Sequence, residues 1–430
     1  MSNKESVPID VAIVGGGPAG VSAGLELSKM SALKIFLFEK DEQLGGIPRS
    51  CHILFGLRDR KRIYTGPAYA RKLSGLIRKS SVQIHTGATV LNVTAGSPGK
   101  AHRVDVLSPQ GLGFYNTRFI LLATGCFENS RQARRIPGTR PAGVFTTGTL
   151  QQLVNLHHYR PGKRALIIGS EHVAFSSVLT LRRAGVPIIG MVEEYPELQT
   201  YTYPAEVMSR FFGFPIYKNT SVKAILGNKR VEGVELLRGK DQEVFRLDCD
   251  TVIISGNFRP ESSLIEHTPI ERDPSTSGPA VDMDLMTSVP NIYAAGNMLR
   301  GADMHDLCAL EGRLAAQNIM KRVTSHENGR DPWFSMRAKP PIRHVVPQKI
   351  APRQINTSPF CRLFPWPAFQ VEPTLKNIVM EARSGKEKIW EGFFRKLIAN
   401  NRYPLPVEKF DWDRADVGKG VTLRIGSSGP

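Results

Sequence analysis

Short runs of consecutive apolar residues, each closed by a glycine or an acid, recur along this chain and predict buried parallel strands. Residues 10–14 are the first such run; a glycine turn follows, and residues 18–30 carry a helical pattern. Residues 34–39, Lys-Ile-Phe-Leu-Phe-Glu, predict the next strand, which completes a βαβ unit. The pattern returns as a strand at 164–169, a helix at 173–184 and a strand at 187–193. Gly169 to Glu193 covers the same number of positions as Gly15 to Glu39, so two dinucleotide folds are expected. Residues 119–125, 250–255 and 291–296 supply further strands, and 307–320 a helix. Past residue 330 prolines crowd the stretch 332–373, among aromatics such as Trp333, Phe334, Phe360, Phe364, Trp366 and Phe369. Loops and short strands are expected there. Residues 386–398 predict one amphipathic helix with Ile389, Trp390, Phe393, Phe394 and Leu397 on one side.

The first unit carries the chemistry of a dinucleotide site. Gly15-x-Gly17-x-x-Gly20 follows a strand and opens a helix at Pro18-Ala19. The first glycine permits the tight turn, the second lets backbone approach a pyrophosphate, and the third lets helix and strand pack closely. Glu39, with Lys40 beside it, closes the second strand, where a carboxylate accepts from ribose hydroxyls. Two later runs argue for FAD by their likeness to flavoprotein motifs. Ala123-Thr124-Gly125 ends a buried strand, and 287–297 ends in Ala294-Ala295-Gly296-Asn297, which resembles the flavoprotein motif beside the ribityl–phosphate. Its usual aspartate is Asn297 here, an amide that still hydrogen-bonds but removes one charge.

The second unit departs from the ideal turn: it reads Gly169-Ser170-Glu171-His172-Val173-Ala174, with Glu171 at the second glycine position. A carboxylate there repels a pyrophosphate and blocks close approach. Glu193 remains placed to hold an adenosine ribose, so binding of NAD(H) or NADP(H) through Gly169 and Glu193 stays open beside a fold kept for packing alone. The absence of Arg and Lys near Glu193 tilts toward NADH.

From residue 10 to about 320 the chain resembles the two-dinucleotide-domain flavoproteins related to pyridine-nucleotide disulfide reductases. The runs that carry this are Gly45-Gly46-Ile47-Pro48-Arg49 with Phe55-Gly56-Leu57-Arg58, Ala123-Thr124-Gly125-Cys126-Phe127-Glu128, Gly256-Asn257-Phe258-Arg259-Pro260-Glu261, and Ala295-Gly296-Asn297-Met298 with His305-Asp306-Leu307. The branch most resembled is encoded beside anaerobic glycerol-3-phosphate dehydrogenase-like proteins, or forms the larger subunit of imino-acid, opine and hydrogen-cyanide-forming dehydrogenases; it tends to carry Asn297. The resemblance implies an α/β fold of two Rossmann-like dinucleotide-binding domains, glutathione-reductase-like, plus a C-terminal extension. The expected divisions are an FAD domain at 1–150 and 259–330, an NAD(P)-type domain at 151–258, and the extension at 331–430. Gly46, Arg49, Thr124, Gly125, Gly296 and Asn297 join the expected FAD contacts. Several relatives of this branch add a cysteine-rich iron–sulfur segment past residue 330, where this chain has only Cys361.

The redox dithiol of such reductases is missing from both of its known places. Two and seven residues after Gly46 stand Pro48 and Ile53, and no cysteine lies between Cys126 and Cys249. Cys51 is left as either an inert buried thiol or a lone redox centre beside the flavin. His305 is either a proton or hydrogen-bond donor to the flavin pyrimidine ring or a cap on the following helix. The remaining chemistry is flavin chemistry, with electrons passing between a nicotinamide or organic small-molecule donor and a second carrier. The competing reading is an electron-transfer or structural subunit of a heteromeric dehydrogenase.

Five scattered cysteines offer no metal cluster and suit a reducing compartment; with no signal-peptide pattern, a cytoplasmic, oligomeric enzyme is expected. The net charge of +18 is spread along the chain without a basic tract, which favours a partner protein or an anionic membrane surface over nucleic acid, beside the plain alternative of a basic cytosolic enzyme with a charged surface.

Overall fold

The computed structural model describes residues 6–97, 99–324, 332–355 and 366–426. Strand β1 (Val7–Val14) is buried from Val11 onward because it has parallel neighbours on both sides, β2 (Ile35–Glu39) and Gly111–Leu122. Gln83–Thr86 extends this sheet beyond β2, and Ile292–Ala294 pairs with the far half of Gly111–Leu122, although it comes much later in the chain. Helix α1 (Pro18–Leu27) packs against the long helix His305–Thr324, so the two ends of the first nucleotide unit are stapled together. Both helices are slightly displaced from their expected bounds.

The second sheet is wholly parallel, in the order Val144–Thr146, Thr251–Ile254, Ala165–Ile168, Ile188–Val192, Ile216–Tyr217. Val144–Thr146 already belongs to it, so the second unit begins before the expected boundary at 151. The two units are joined by a small antiparallel ladder, Cys126–Glu128 against Phe258–Pro260.

The expected helix at 386–398 is a strand. Glu387–Leu397 pairs antiparallel with Leu375–Ser384, placing Ala382 opposite Trp390 and Met380 opposite Gly392. Gly385, at φ +59°, turns the chain back, and that non-local pairing outweighs the helical spacing of the apolar residues. Phe393, expected on the buried side, is 61% exposed. The extension's strands, most of them short, assemble into a five-stranded and a three-stranded sheet. The interior of the extension, including Phe369, Met380 and Leu423, merges with the first nucleotide unit's core, whereas the second unit packs in separate clusters. Phe360, Cys361 and Phe364 lie outside the described residues.

Candidate cofactor site and the charged cluster beside it

A cavity of about 1870 Å³ opens where the two nucleotide units and the C-terminal sheets meet. Ordinary small-molecule sites are roughly 300–1,000 Å³, so this one has room for a dinucleotide and a second molecule. Its wall includes Gly15, Gly17, Pro18, Ala19, Glu39, Lys40, Gly46, Arg49, Thr124 and Gly125 from the first unit, and Asn297 and His305 further on.

The three glycines of the turn differ in their surroundings. Gly15 sits at φ +108°, and a Cβ there would fall 2.3 Å from the Ala123 carbonyl oxygen. A Cβ on Gly20 would fall 1.9 Å from the Gly15 oxygen, so Gly20 serves packing and does not line the cavity. Gly17 differs: a Cβ there would meet nothing within 4 Å. It caps α1, whose first turn has no acid and no side-chain cap, leaving amide donors turned to an anion. The Glu39 carboxylate is fixed by Gly16 N–H (2.7 Å) and Asp41 N–H (2.9 Å). Arg49 is tied to Asp41 at 2.9 Å. Thr124 donates its hydroxyl to the Glu261 carbonyl at 2.7 Å, and Gly296 stands behind the wall, its N–H on Glu311 at 3.0 Å. An open phosphate cradle beside an anchored acid fits FAD: the α1 amides and Gly17 would hold the diphosphate and Glu39 the ribose.

The two candidate catalytic residues are both buried. Burial pushes the Cys51 thiol up, against hydrogen bonds from Ile53 and Gln151 that favour the thiolate. The same cause lifts Cys126 to about 12, Cys249 to about 11, and Cys308 well above its usual value. All four described cysteines are free. Alkylation of the native protein near neutral pH is therefore expected to leave Cys51 unmodified and flavin reduction intact. Peptide mass analysis after N-ethylmaleimide treatment checks this; loss of flavin reduction in step with Cys51 labelling would contradict it. His305 opens the helix His305–Thr324 with its ring 4.6 Å from that of Phe55. Burial, opposed by the Asp303 carboxylate, lowers its pKa to about 4, so the ring is neutral at physiological pH. A neutral imidazole donates a hydrogen bond but carries no spare proton.

In the second unit Gly169 and Glu193 stand off the cavity, whereas Glu171, His172 and Val173 line it. The Ser170 hydroxyl donates to the Glu193 carboxylate and accepts from Gln199 N–H at 2.9 Å, while Tyr195 N–H donates to Glu193 at 2.9 Å. The C-terminal sheet secures the same segment, with Thr374 N–H on the Gln199 side chain at 3.1 Å and Lys376 on Glu197 at 2.6 Å. The Glu171 carboxyl lies over the Gly169 and Gly256 turns: a Cβ built on Gly256 would be 2.2 Å from its Oε1. Its Oε2 is buried without a hydrogen-bond partner, and burial, with Arg134 opposing, pushes the carboxyl up to about 7. Glu128, another cavity carboxyl, is raised by burial too, although Gly148 N–H donates to it at 2.6 Å.

Sequence reasoning passed over a buried charge cluster behind Asn297. Glu311, with no exposure, accepts from Gly296 N–H and from the guanidiniums of Arg300 and Arg402. Asp303 pairs with the same two arginines at 3.1 and 3.3 Å. Burial would raise the Asp303 pKa, but Arg402 and Arg300 outweigh it and hold the carboxyl below its usual range. Arg402 arrives from the C-terminal extension, as do Arg343, Asn400 and Asn401, which complete the cavity wall. The available signal was Glu311 itself, a lone acid between Cys308-Ala309-Leu310 and Leu314-Ala315-Ala316.

The chain is 26% identical over 356 residues to the glutamate synthase [NADPH] small chain of Escherichia coli strain K12, covering 74% of this chain and 70% of that protein. It is 25% identical over 338 residues to the HcnB subunit of hydrogen cyanide synthase from Pseudomonas aeruginosa, covering 72% of this chain and 70% of that one. Among solved structures, T. acidophilum thioredoxin reductase superposes with a TM-score of 0.63 at 20% identity, covering 74% of this chain and 99% of that one, which shows the fold. Residues 9–329 match the Pyridine nucleotide-disulphide oxidoreductase family. The chain belongs to that family, as an FAD-dependent oxidoreductase.

Proposed function

We propose that this protein moves an electron pair between an organic or nicotinamide donor and a second carrier inside the one cavity shared by its three parts. The observation that carries the reading is the continuity of that cavity from Gly17 and Glu39, past His305, to Glu171 and the C-terminal residues Arg343 and Arg402. FAD supplies the two-electron chemistry when bound. The chain's own residues hold and shield it: α1 and Glu39 bind, Phe55 and neutral His305 form a dry wall, and Arg402 closes the far side. The Glu171 carboxyl, pushed up to about 7, is suited to hold a proton near neutral pH, and burial shifts Glu128 in the same direction.

Glu171 governs the nicotinamide half of this reading. Two unit charges ~4 Å apart repel by roughly 4 kcal/mol at an effective dielectric of 20. Screening and relaxation reduce this to about 1–2 kcal/mol, so Glu171→Gly should tighten NADH binding about five- to thirty-fold. The carboxyl titrates near 7, so wild-type affinity should rise as pH falls from 8 to 6, while the glycine variant stays flat. Anaerobic bleaching of the flavin by NADH, with calorimetric titration of both proteins at the two pH values, measures this. Equal, tight binding by both at pH 8 would remove Glu171 from the mechanism.

A second reading, one flavoprotein chain of a heteromeric dehydrogenase, is favoured by the engaged Glu193 and by relatives that are themselves named as chains or subunits of larger enzymes. Helix Thr202–Phe212 suits a partner chain: Tyr203, Val207 and Phe211 are exposed at 79%, 49% and 80% on one face, with Glu206 and Arg210 beside them. Absence of bleaching in both proteins selects this reading. No helix among the described residues is long and apolar enough to cross a membrane. The basic excess suits an anionic surface better than nucleic acid, and we place the protein in the cytoplasm as an oligomer.

A further inference from the structure

At the lip of the flavin cavity a hairpin projects, formed by Leu54–Phe55 paired with Tyr64–Thr65 and bridged by the single helical turn Leu57–Arg60. Its inner face is anchored. Phe55 is buried against Tyr69 and His305, the Asp59 carboxylate accepts from the Tyr69 hydroxyl at 2.9 Å, and Arg58 N–H donates to Asp306 at 3.2 Å. Its outer face is apolar without a partner: Leu54, Leu57 and Ile63 are exposed at 56%, 62% and 62%. Between and beside them stand Arg58, Lys61 and Arg62, all exposed, with Arg60 paired to Asp59. Asp59, the one acid in 57–63, is buried, so the tip shows water only aliphatic carbon and positive charge.

We propose that this hairpin docks the protein on an anionic lipid surface, with Leu54, Leu57 and Ile63 entering the headgroup boundary and Lys61 and Arg62 paired with lipid phosphates. Three observations favour lipid over a protein partner. The tip's apolar residues are aliphatic, a composition under-represented at protein hot spots but common in interfacial anchors. Its exposed charges have one sign, unlike the mixed Glu206 and Arg210 beside the aromatic face of helix Thr202–Phe212. The whole chain carries +18, which complements an anionic leaflet. Ile53, Phe55 and Arg58 line the cavity, so docking turns the cavity's lip toward the membrane. This deepens the reading of the basic excess given above.

The test is co-sedimentation of the full FAD-loaded chain with vesicles of phosphatidylcholine alone or mixed with phosphatidylglycerol. Binding is expected on the mixed vesicles only, with release at high salt. Lys61→Gln with Arg62→Gln should weaken it about 30-fold, from roughly five-fold per cation. Leu57→Ser and Ile63→Ser should each weaken it roughly ten-fold. Flavin content, read on the same samples, reports separately on the flavoprotein reading and on folding of each variant. Failure of the flavin-loaded wild type to sediment, equal binding to neutral vesicles, or full binding by both sets of variants would overturn the proposal.

Discussion

Replacing Glu311 by alanine is expected to cost the protein about 3–5 kcal/mol of stability, the usual penalty for breaking a buried ion pair from one side. The cluster holds two arginines, Arg300 and Arg402, against two acids, Glu311 and Asp303, all of them almost wholly withdrawn from water. Removing Glu311 leaves two guanidiniums facing one carboxylate, and strips the acceptor from Gly296 N–H at the end of the strand that carries Asn297. The loss should fall on one boundary, because Arg402 comes from the C-terminal extension, just before the strand Tyr403–Pro404, and Glu311 from the helix that packs on α1. Limited proteolysis should then release the C-terminal sheets from the flavin unit while the second unit stays folded, and thermal melting should show the flavin unit unfolding earlier. The control is apolar replacement of the whole cluster. Glu311→Met, Asp303→Met, Arg300→Met and Arg402→Met together should cost less than Glu311→Ala alone, since a fully removed network leaves no unpaired charge. A Glu311→Ala protein as stable as the wild type would show that the cluster does not join the two parts.

That cluster marks where reading along the chain stops being informative. Both βαβ units are legible because strand, turn, helix and strand are contiguous, and Gly15, Gly17, Gly20 and Glu39 all act within that local frame. Ile292–Ala294 is legible too, as an apolar run ending in Gly296-Asn297, although its partner strand lies far upstream. Arg402 is different. It is a surface-like arginine in its own neighbourhood, and only the folding of the extension onto residues 296–311 buries it. The strand Glu387–Leu397 failed for the same physical reason: its apolar residues fit helical spacing, and the competing partner, Leu375–Ser384, is recognisable only once paired. Glu171 sits between these cases. Its place at the second glycine position foretold a carboxylate in the turn, but its burial against Gly169 and Gly256 depends on two segments brought together by the second sheet.

Gly17→Glu is expected to yield a folded, colourless protein, and this is the sharpest test of the FAD site. The three glycines of the turn respond differently to a side chain. At Gly15 the positive φ strains any L-residue, and at Gly20 a Cβ would collide with the Gly15 carbonyl; variants there lose FAD by losing the fold. Gly17 has φ −77°, which any residue adopts, and open space around its missing Cβ. A glutamate there leaves β1 and α1 undisturbed and meets only the ligand. Its carboxylate then occupies the cradle that the α1 amides offer to a diphosphate, adding like-charge repulsion of roughly 4 kcal/mol at ~4 Å before screening. Even at half that value, together with steric exclusion, FAD affinity should fall on the order of a hundred-fold or more. Gly17→Ala, which adds bulk without charge, should lie between the wild type and Gly17→Glu. Flavin absorbance per mole of purified protein gives the occupancy, and far-ultraviolet circular dichroism with thermal melting of FAD-stripped samples confirms the fold. A Gly17→Glu protein that keeps wild-type flavin content would move the diphosphate away from this turn.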